Sequence, residues 1–195
     1  MKRTAEIERK TRETDISVII NLDGNGSARA DTGIGFLNHM LESLAKHSRM
    51  DIAVKARGDL EVDDHHTVED VGLALGEAFK KALGDKRGIT RFGWALCPMD
   101  EALARVSVDI SGRPYCVCNL DMHLHQLGDM HASAVPEFFR AFSSSAGLTL
   151  HLDLIRAQNL HHAVEALFKA LALALAQAVK AGNDGNIPST KGILA

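Results

Sequence analysis

Two short segments of the chain carry the same pattern of metal-binding residue types, His-His-x-x-Glu. On a helix, residues three and four positions apart lie on one face, so the glutamate of each segment can meet either histidine. The two adjacent histidines point about 100° apart, so one segment can contribute to two ions. Imidazole and carboxylate groups bind Mn, Fe, Zn, Co or Ni, and the lack of cysteine disfavours a closed structural zinc site. The six residues are His65, His66, Glu69, His161, His162 and Glu165.

An internal repeat relates these two segments and adds two candidate ligands. Residues 63–84 match residues 159–182, with the motif near the start of each stretch and glycine at its end. The preceding segments, 36–48 and 135–147, also overlay and place Glu137 opposite His39. The repeat therefore predicts eight candidate ligands, enough for two metal ions with four protein ligands each. The remaining octahedral positions would be open to water or substrate.

A histidine at the start of a helix is more often a capping residue than a metal ligand. We favour metal binding because both copies of the motif stay in register although the repeats have otherwise diverged. The spacing alone leaves open a dinuclear metal-dependent hydrolase and a non-catalytic, metal-linked assembly protein. The other histidines lack this spacing, and we expect them to be structural. They are His47, His123, His125, His131 and His151.

Several basic and hydroxyl residues near turns have the chemistry to bind a phosphate monoester. Ser189 and Lys191 belong to a Ser-Thr-Lys-Gly segment that combines hydroxyls, an ammonium group and a flexible backbone. Arg91 and Arg113 adjoin predicted turns, and Lys169 follows the second motif by one turn on a mostly apolar helix. Each of these charges taken singly is more often a solvated surface group, so only the set indicates a phosphate site.

The elements that must position these residues follow one order in both halves: strand, strand, helix, strand, helix. Ile16, Val18 and Ile20 alternate with mostly polar neighbours, which is typical of a half-buried antiparallel strand. Because strands come in pairs before each helix, we predict an α+β fold with an internal duplication rather than a doubly wound sheet. Residues 1–88 and 89–195 would form two similar halves of one compact domain. Each half would have a small mixed or antiparallel sheet and two helices, with the helices packed between the two sheets.

Composition excludes several classes of protein. The chain has 195 residues, of which 46% are hydrophobic, and a net charge of −3, which predicts a globular domain. No basic tract indicates a nucleic-acid partner, and no run of about 18 apolar residues indicates a membrane span. Three cysteines are too few and too closely spaced for a disulfide framework. Together with the lack of an apolar signal region, they lead us to expect a cytoplasmic protein.

Seven segments together resemble the imidazoleglycerol-phosphate dehydratase family of histidine biosynthesis, over about residues 7–194. They are GFLNHM (35–40), DDHHTVED (63–70), GDKRGITRFG (84–93), PMDE (98–101), SGRPY (111–115), LHHAVEALFKA (160–170) and PSTKG (188–192). The resemblance implies a hydro-lyase that converts D-erythro-imidazole-glycerol phosphate to imidazole-acetol phosphate and water, with two Mn²⁺ per active site. It also implies a homo-oligomer, a 24-mer built from trimers, with active sites shared between subunits.

The resemblance assigns roles to the matching residues. It implies metal binding by His39, His65, His66, Glu69, His161, His162 and Glu165. It implies binding of the substrate phosphate by Arg91, Arg113, Lys169, Ser189 and Lys191. A proton-transfer role falls to Glu13, and Glu137 stands where several members have histidine. Because the hydrogen to be removed is on a carbon attached to an imidazole ring and is not acidic, two ions facing the ring would explain two copies of one ligand motif.

Overall fold

Alternating apolar side chains build two four-stranded sheets in the computed structural model, which describes residues 2–120, 126–182 and 185–194. Ile16, Val18 and Ile20 are buried, as the period-two pattern predicts. The strands of the first sheet are β1 (Thr4–Lys10), β2 (Thr14–Asn21), β3 (Ala28–Asp31) and β4 (Asp51–Gly58). Those of the second are β5 (Phe92–Met99), β6 (Ala102–Asp109), β7 (Tyr115–Asn119) and β10 (Thr149–Arg156). A separate hairpin consists of β8 (Gln126–Leu127) and β9 (Met130–His131).

The two sheets have the same strand order, which confirms the internal duplication. The first is ordered β1-β2-β4-β3 and the second β5-β6-β10-β7. In each sheet the first three strands pair antiparallel, whereas the last edge strand, β3 or β7, runs parallel to its neighbour. Both sheets are therefore mixed. Their registers place Val18 opposite Val54 in the first sheet and Val106 opposite Leu152 in the second.

The edge strands β3 and β7 were not predicted, so each half contributes three strands of its four-stranded sheet before its first helix instead of two, and the second half adds the hairpin of β8 and β9. β3 lies in a glycine-rich segment, residues 21–35, whose composition is typical of turns. Its four residues form a strand because β4 supplies the hydrogen-bonding partner, and this tertiary pairing outweighs local preference. β5 begins at Phe92, directly after Arg91, whose positive φ of 75° interrupts an extended strand.

The helices lie between the two sheets, as predicted. In the described residues they are α1 (Gly35–Ser48), α2 (His65–Leu83), α3 (Ala134–Ala146) and α4 (Leu160–Ala178). α1 and α2 pack on the first sheet, and α3 and α4 pack on the second. Across the middle, α1 contacts α4 and α2 contacts α3. The layers are thus sheet, helix, helix and sheet, and each helix of one half packs against a helix of the other.

Phenylalanine side chains fill the space between the helices. The ring of Phe138 on α3 lies 5.2 Å from that of Phe168 on α4, measured between centroids. The rings of Phe79 on α2 and Phe142 on α3 are 5.8 Å apart. All four side chains are fully buried. This close-packed centre fixes the helices that carry the candidate ligands.

The hairpin of β8 and β9 holds the first turns of α1 and α2. The carboxylate of Asp129 accepts hydrogen bonds from the backbone N–H groups of Gly35 at 2.5 Å and Phe36 at 3.0 Å. His131 donates its backbone N–H to Asp64 at 2.5 Å, and its ring Nδ1 lies 2.8 Å from the same carboxylate. Asp64 directly precedes α2, so a segment of the second half positions the start of both helices of the first half.

The remaining histidines lie outside the two motifs. His47 is in the last turn of α1, His131 is in the hairpin, and His151 is exposed on β10. His123 and His125, which we also expected to be structural, lie outside the described residues. Of the helices that the structure describes, none has the length and apolar character that a membrane crossing requires.

Candidate metal centre

Two histidines and one glutamate meet where α1 packs against α4. The Nε2 atoms of His39 and His161 lie 3.3 and 3.1 Å from one oxygen, Oε2 of Glu165. The centroids of the two imidazole rings are 5.7 Å apart. One ligand atom from each residue falls within 4.8 Å of the other two, a spacing that a single ion can bridge. Within the described ranges, this is the one group of three candidate metal ligands with such spacing.

Local helix geometry explains how these ligands meet. His161 and Glu165 are four residues apart at the start of α4 and therefore share a face. Asn159 caps this helix by accepting hydrogen bonds from the backbone N–H groups of His161 at 2.9 Å and His162 at 3.4 Å. His39 comes from the second turn of α1, whose start is held by the hairpin. The group therefore combines ligands from both halves of the chain.

Glu165 is buried, and a lysine accompanies it. Lys169, one turn further along α4, donates a hydrogen bond to Oε1 of Glu165 at 2.8 Å. Burial alone would raise the pKa of Glu165, but the hydrogen bonds with Lys169 and His39 outweigh burial and leave the pKa below its ordinary value. The carboxylate is therefore anionic at neutral pH, as a metal ligand requires.

The candidate ligands of the first motif lie together on another helix. His65 and Glu69, at the start of α2, face each other with 3.5 Å between Nε2 and Oε2. Glu137 is on α3, the helix that packs against α2, and its carboxylate pairs with Arg140. The α2–α3 contact repeats the α1–α4 contact, so Glu137 occupies the position equivalent to His39. In the described part of a single chain, His65, Glu69 and Glu137 do not lie close enough together to bind one metal ion between them.

The second histidine of each motif is bonded to a carboxylate through its Nδ1 atom. Nδ1 of His66 lies 3.0 Å from Oδ2 of Asp59, and Nδ1 of His162 lies 2.8 Å from Oε2 of Glu101. The hydrogen bonds with Asp59 and Glu101 raise the pKa of His66 and of His162, respectively. The bond with His162 also lowers the pKa of Glu101 to about 2. The other ring nitrogen, Nε2, makes no hydrogen bond to these two carboxylates, and Nε2 of His162 lies 3.7 Å from Oδ2 of Asp100.

Glu13, predicted to transfer protons, lies beside the first of these histidines. It directly precedes β2, and its Oε2 is 4.0 Å from Nδ1 of His66. That separation is too long for a hydrogen bond. Its side chain is 55% exposed, so the carboxylate is accessible for proton exchange.

Four of the five candidate phosphate-binding residues line one cavity of about 330 Å³. Arg91 is fixed there by Asp109, with 2.7 Å between Nε and Oδ1, and donates a hydrogen bond through Nη1 to the carbonyl oxygen of Pro188 at 2.8 Å. Arg113 is exposed, and its guanidinium lies 4.0 Å from Asp109. The four residues are Arg91, Arg113, Ser189 and Lys191. The fifth, Lys169, contacts Glu165 instead, and its phosphate role stays a prediction.

Sequence reasoning missed Asp59 and Glu101 as parts of the site. Glu101 occupies the position in the second repeat that Glu13 occupies in the first. The repeat could therefore have drawn attention to Glu101, but it does not show that His162 is its hydrogen-bonding partner. Asp59 follows β4 and has no equivalent carboxylate after β10, where the chain reads Ala157, Gln158. No spacing rule links Asp59 to His66, because a loop rather than a helix brings them together.

Comparisons with known proteins agree on one family. The model of the imidazoleglycerol-phosphate dehydratase (IGPD) family matches residues 32–175. The chain is 55% identical over 192 residues to the imidazoleglycerol-phosphate dehydratase of Methanocella arvoryzae, covering 98% of this chain and 100% of the relative. It is 54% identical over 196 residues to that of Zymomonas mobilis subsp. mobilis, covering 100% of both.

Solved structures agree with the sequence relatives. The fold is similar to that of the imidazoleglycerol-phosphate dehydratase from Staphylococcus aureus, with a TM-score of 0.82 and 40% identity over 91% of this chain and 99% of that one. It is similar to IGPD from Pyrococcus furiosus, with a TM-score of 0.83 and 37% identity over 96% of this chain and 100% of that one. The chain therefore belongs to the imidazoleglycerol-phosphate dehydratase family.

Proposed function

We propose that this chain catalyses the metal-dependent dehydration of D-erythro-imidazole-glycerol phosphate to imidazole-acetol phosphate and water, in histidine biosynthesis. Family membership supports the reaction, because the relatives are named for it. The observation that carries the metal dependence is the meeting of His39, His161 and Glu165 at the contact between α1 and α4.

The ligand set fits a divalent transition metal. Two imidazole nitrogens face one anionic carboxylate, and no thiolate is present, which suits Mn²⁺ and its neighbours better than a structural zinc ion. We propose two Mn²⁺ per active site, because the ligand motif occurs twice. The proposed ligands are His39, His65, His66, Glu69, Glu137, His161, His162 and Glu165.

We further propose that active sites are completed between chains. In the described part of one chain, His39, His161 and Glu165 form a group, whereas His65 and Glu69 form only a pair. A second chain that contributes its own histidines would supply the ligands that each of the two proposed ions lacks in one chain. This argument supports a homo-oligomer, and the family resemblance favours a 24-mer built from trimers. A cytoplasmic location is part of the proposal, supported by cysteines that remain unpaired thiols.

The chain's own groups have distinct tasks in this reaction. When bound, the ions would supply positive charge that stabilises negative charge developing on the imidazole ring of the substrate. Arg91, Arg113, Ser189 and Lys191, which line one cavity, would bind the phosphate, and Arg91 would also hold the C-terminal segment through Pro188. The exposed carboxylate of Glu13 would accept and return the proton during the elimination.

An ultraviolet assay for imidazole-acetol phosphate tests the proposal. Protein stripped of metal should show no turnover, addition of Mn²⁺ should restore it, and addition of Mg²⁺ should not, because Mg²⁺ prefers oxygen ligands to imidazole. Zn²⁺ added in turn reports how selective the site is. Full turnover by the stripped protein would disprove the metal dependence. Failure to turn over this substrate with any added ion would overturn the reaction itself.

A further inference from the structure

The two halves hold the second histidine of their motifs in the same way. In the first half Nδ1 of His66 is bonded to Asp59 at 3.0 Å, and in the second half Nδ1 of His162 is bonded to Glu101 at 2.8 Å. The other carboxylate oxygen of Glu101, Oε1, accepts hydrogen bonds from the backbone N–H groups of Gln158 at 3.2 Å and Asn159 at 2.7 Å, just before α4 begins. Each histidine is therefore bonded to a carboxylate that lies outside its own helix.

The carboxylates that do this are not equivalent in the repeat. Glu13 and Glu101 are equivalent, because each directly precedes the second strand of its half, β2 or β6. Glu101 bonds its histidine directly, whereas Glu13 lies 4.0 Å from Nδ1 of His66, and Asp59 makes the hydrogen bond to that nitrogen instead. The side chain of Glu13 is also more exposed, 55% against 31% for Glu101.

We infer that Asp59 and Glu101 are positioning residues that hold the imidazoles of His66 and His162 for metal binding, and that Asp59 leaves Glu13 available for proton transfer. The inference rests on the proposed metal-dependent function. It explains why two equivalent glutamates have different environments. Glu101 orients His162, whereas Asp59 takes the place of Glu13 in orienting His66.

The physical basis is the choice of tautomer. A neutral imidazole carries its proton on one nitrogen only, and an acceptor at Nδ1 keeps the proton there. Nε2 then presents its lone pair outward, and the hydrogen bond fixes the orientation of the ring. Removing a residue that hydrogen-bonds a metal-ligating histidine, without itself binding the metal, typically lowers metal affinity or activity about 10- to 100-fold.

Metal affinity, measured on the assembled protein, separates the two tasks. We expect Asp59→Ala to weaken Mn²⁺ binding about 10- to 100-fold in isothermal titration calorimetry, while turnover at saturating Mn²⁺ largely recovers. Glu13→Gln should bind Mn²⁺ as the unsubstituted protein does and lose turnover at every Mn²⁺ concentration. Asp59 gives a cleaner test than Glu101, because Glu101 also holds the backbone before α4.

The matched control is Asp31→Ala, which removes a carboxylate that pairs with Arg57 on the outer face of the first sheet. It should leave Mn²⁺ affinity and turnover unchanged. Unaltered Mn²⁺ affinity in Asp59→Ala, together with weakened affinity in His66→Ala, would overturn the positioning role. Unaltered affinity in His66→Ala as well would count against the proposed metal site itself, so the two failures can be told apart.

Discussion

Glu165 uses its two carboxylate oxygens for different partners. Oε2 lies within 3.3 Å of the imidazoles of His39 and His161, whereas Oε1 accepts a hydrogen bond from Lys169. The lysine therefore directs one oxygen away from the histidines and leaves the other facing them. A metal ion between the histidines would meet one carboxylate oxygen, already oriented, which limits the reorganisation that binding requires.

The cysteine side chains permit a prediction at the same scale. Burial raises the pKa of Cys116 to about 11 and of Cys118 to about 12, and it also raises the pKa of Cys97. Since the thiolate is the reactive form, we expect alkylation of Cys116 at pH 8 to be roughly a hundredfold slower in native protein than in guanidinium chloride. Mass spectrometry of iodoacetamide-treated protein measures both rates. Equal rates would show that the native thiol is not protected.

Residues that act through helix spacing could be predicted from the sequence, and residues that act through loops could not. His161 and Glu165 meet because four residues make one helical turn, and this was predicted. The same rule applies to Glu165 and Lys169, although we expected this lysine at the phosphate site. Asp59 reaches His66 across a loop between β4 and α2, a path that no periodicity encodes.

At the scale of elements, the contact between α2 and α3 depends on glycine. A Cβ atom at Gly76 would lie 2.6 Å from the carbonyl oxygen of Phe142 and 2.9 Å from the backbone nitrogen of Ala146. Backbone atoms cannot move aside as a flexible side chain can. The two helices therefore approach more closely here than any larger residue allows.

Gly76→Ala should lower the stability of the protein. Overpacking costs about 1–3 kcal/mol, and the better helix propensity of alanine returns about 1 kcal/mol, so we expect a net loss of up to about 2 kcal/mol. Differential scanning calorimetry of the metal-free protein measures it as a lower Tm. The control, Glu77→Ala, changes an exposed neighbour on the same helix and should have little effect. A Tm for Gly76→Ala at or above that of the control would contradict the contact.

Elements with strong periodicity were predicted with nearly correct bounds. The apolar alternation of Ile16, Val18 and Ile20 lies within β2, and the repeated segment 36–48 matches α1 to within one residue. β3 and the two-residue strands of the hairpin have too few residues to show a pattern, and they exist because neighbouring strands offer hydrogen bonds. The division of the chain between residues 88 and 89 stays a prediction.

For the whole molecule, the outer faces of the two sheets differ in character. On β1 the outward side chains include Glu6, Glu8 and Lys10. On β5, the equivalent edge strand, they include Phe92, Trp94 and Leu96, and Trp94 is 66% exposed in the single chain. Adjacent exposed apolar residues of this size mark protein–protein contacts. In the homo-oligomer that we propose, this is the face on which we expect another copy of the chain to pack.

Trp94→Ser should therefore reduce the particle mass measured by light scattering, because it removes the largest apolar side chain of that face. Ile19→Ser is the matched control, since Ile19 is 49% exposed on the outer face of the first sheet. We expect this control to keep the mass of the unsubstituted protein. An unchanged mass for Trp94→Ser would place the contacts between chains elsewhere.

The packing of α1 on α4 and of α2 on α3 has an evolutionary consequence. His39 meets His161 and Glu165 across the boundary between the repeats, so a protein with a single repeat would need a second copy of itself to build this group. The ancestor before gene duplication would then have been a symmetric homodimer. Fusion of the two gene copies would have removed the requirement for identical halves, and the equivalent residues Glu13 and Glu101 now have different environments.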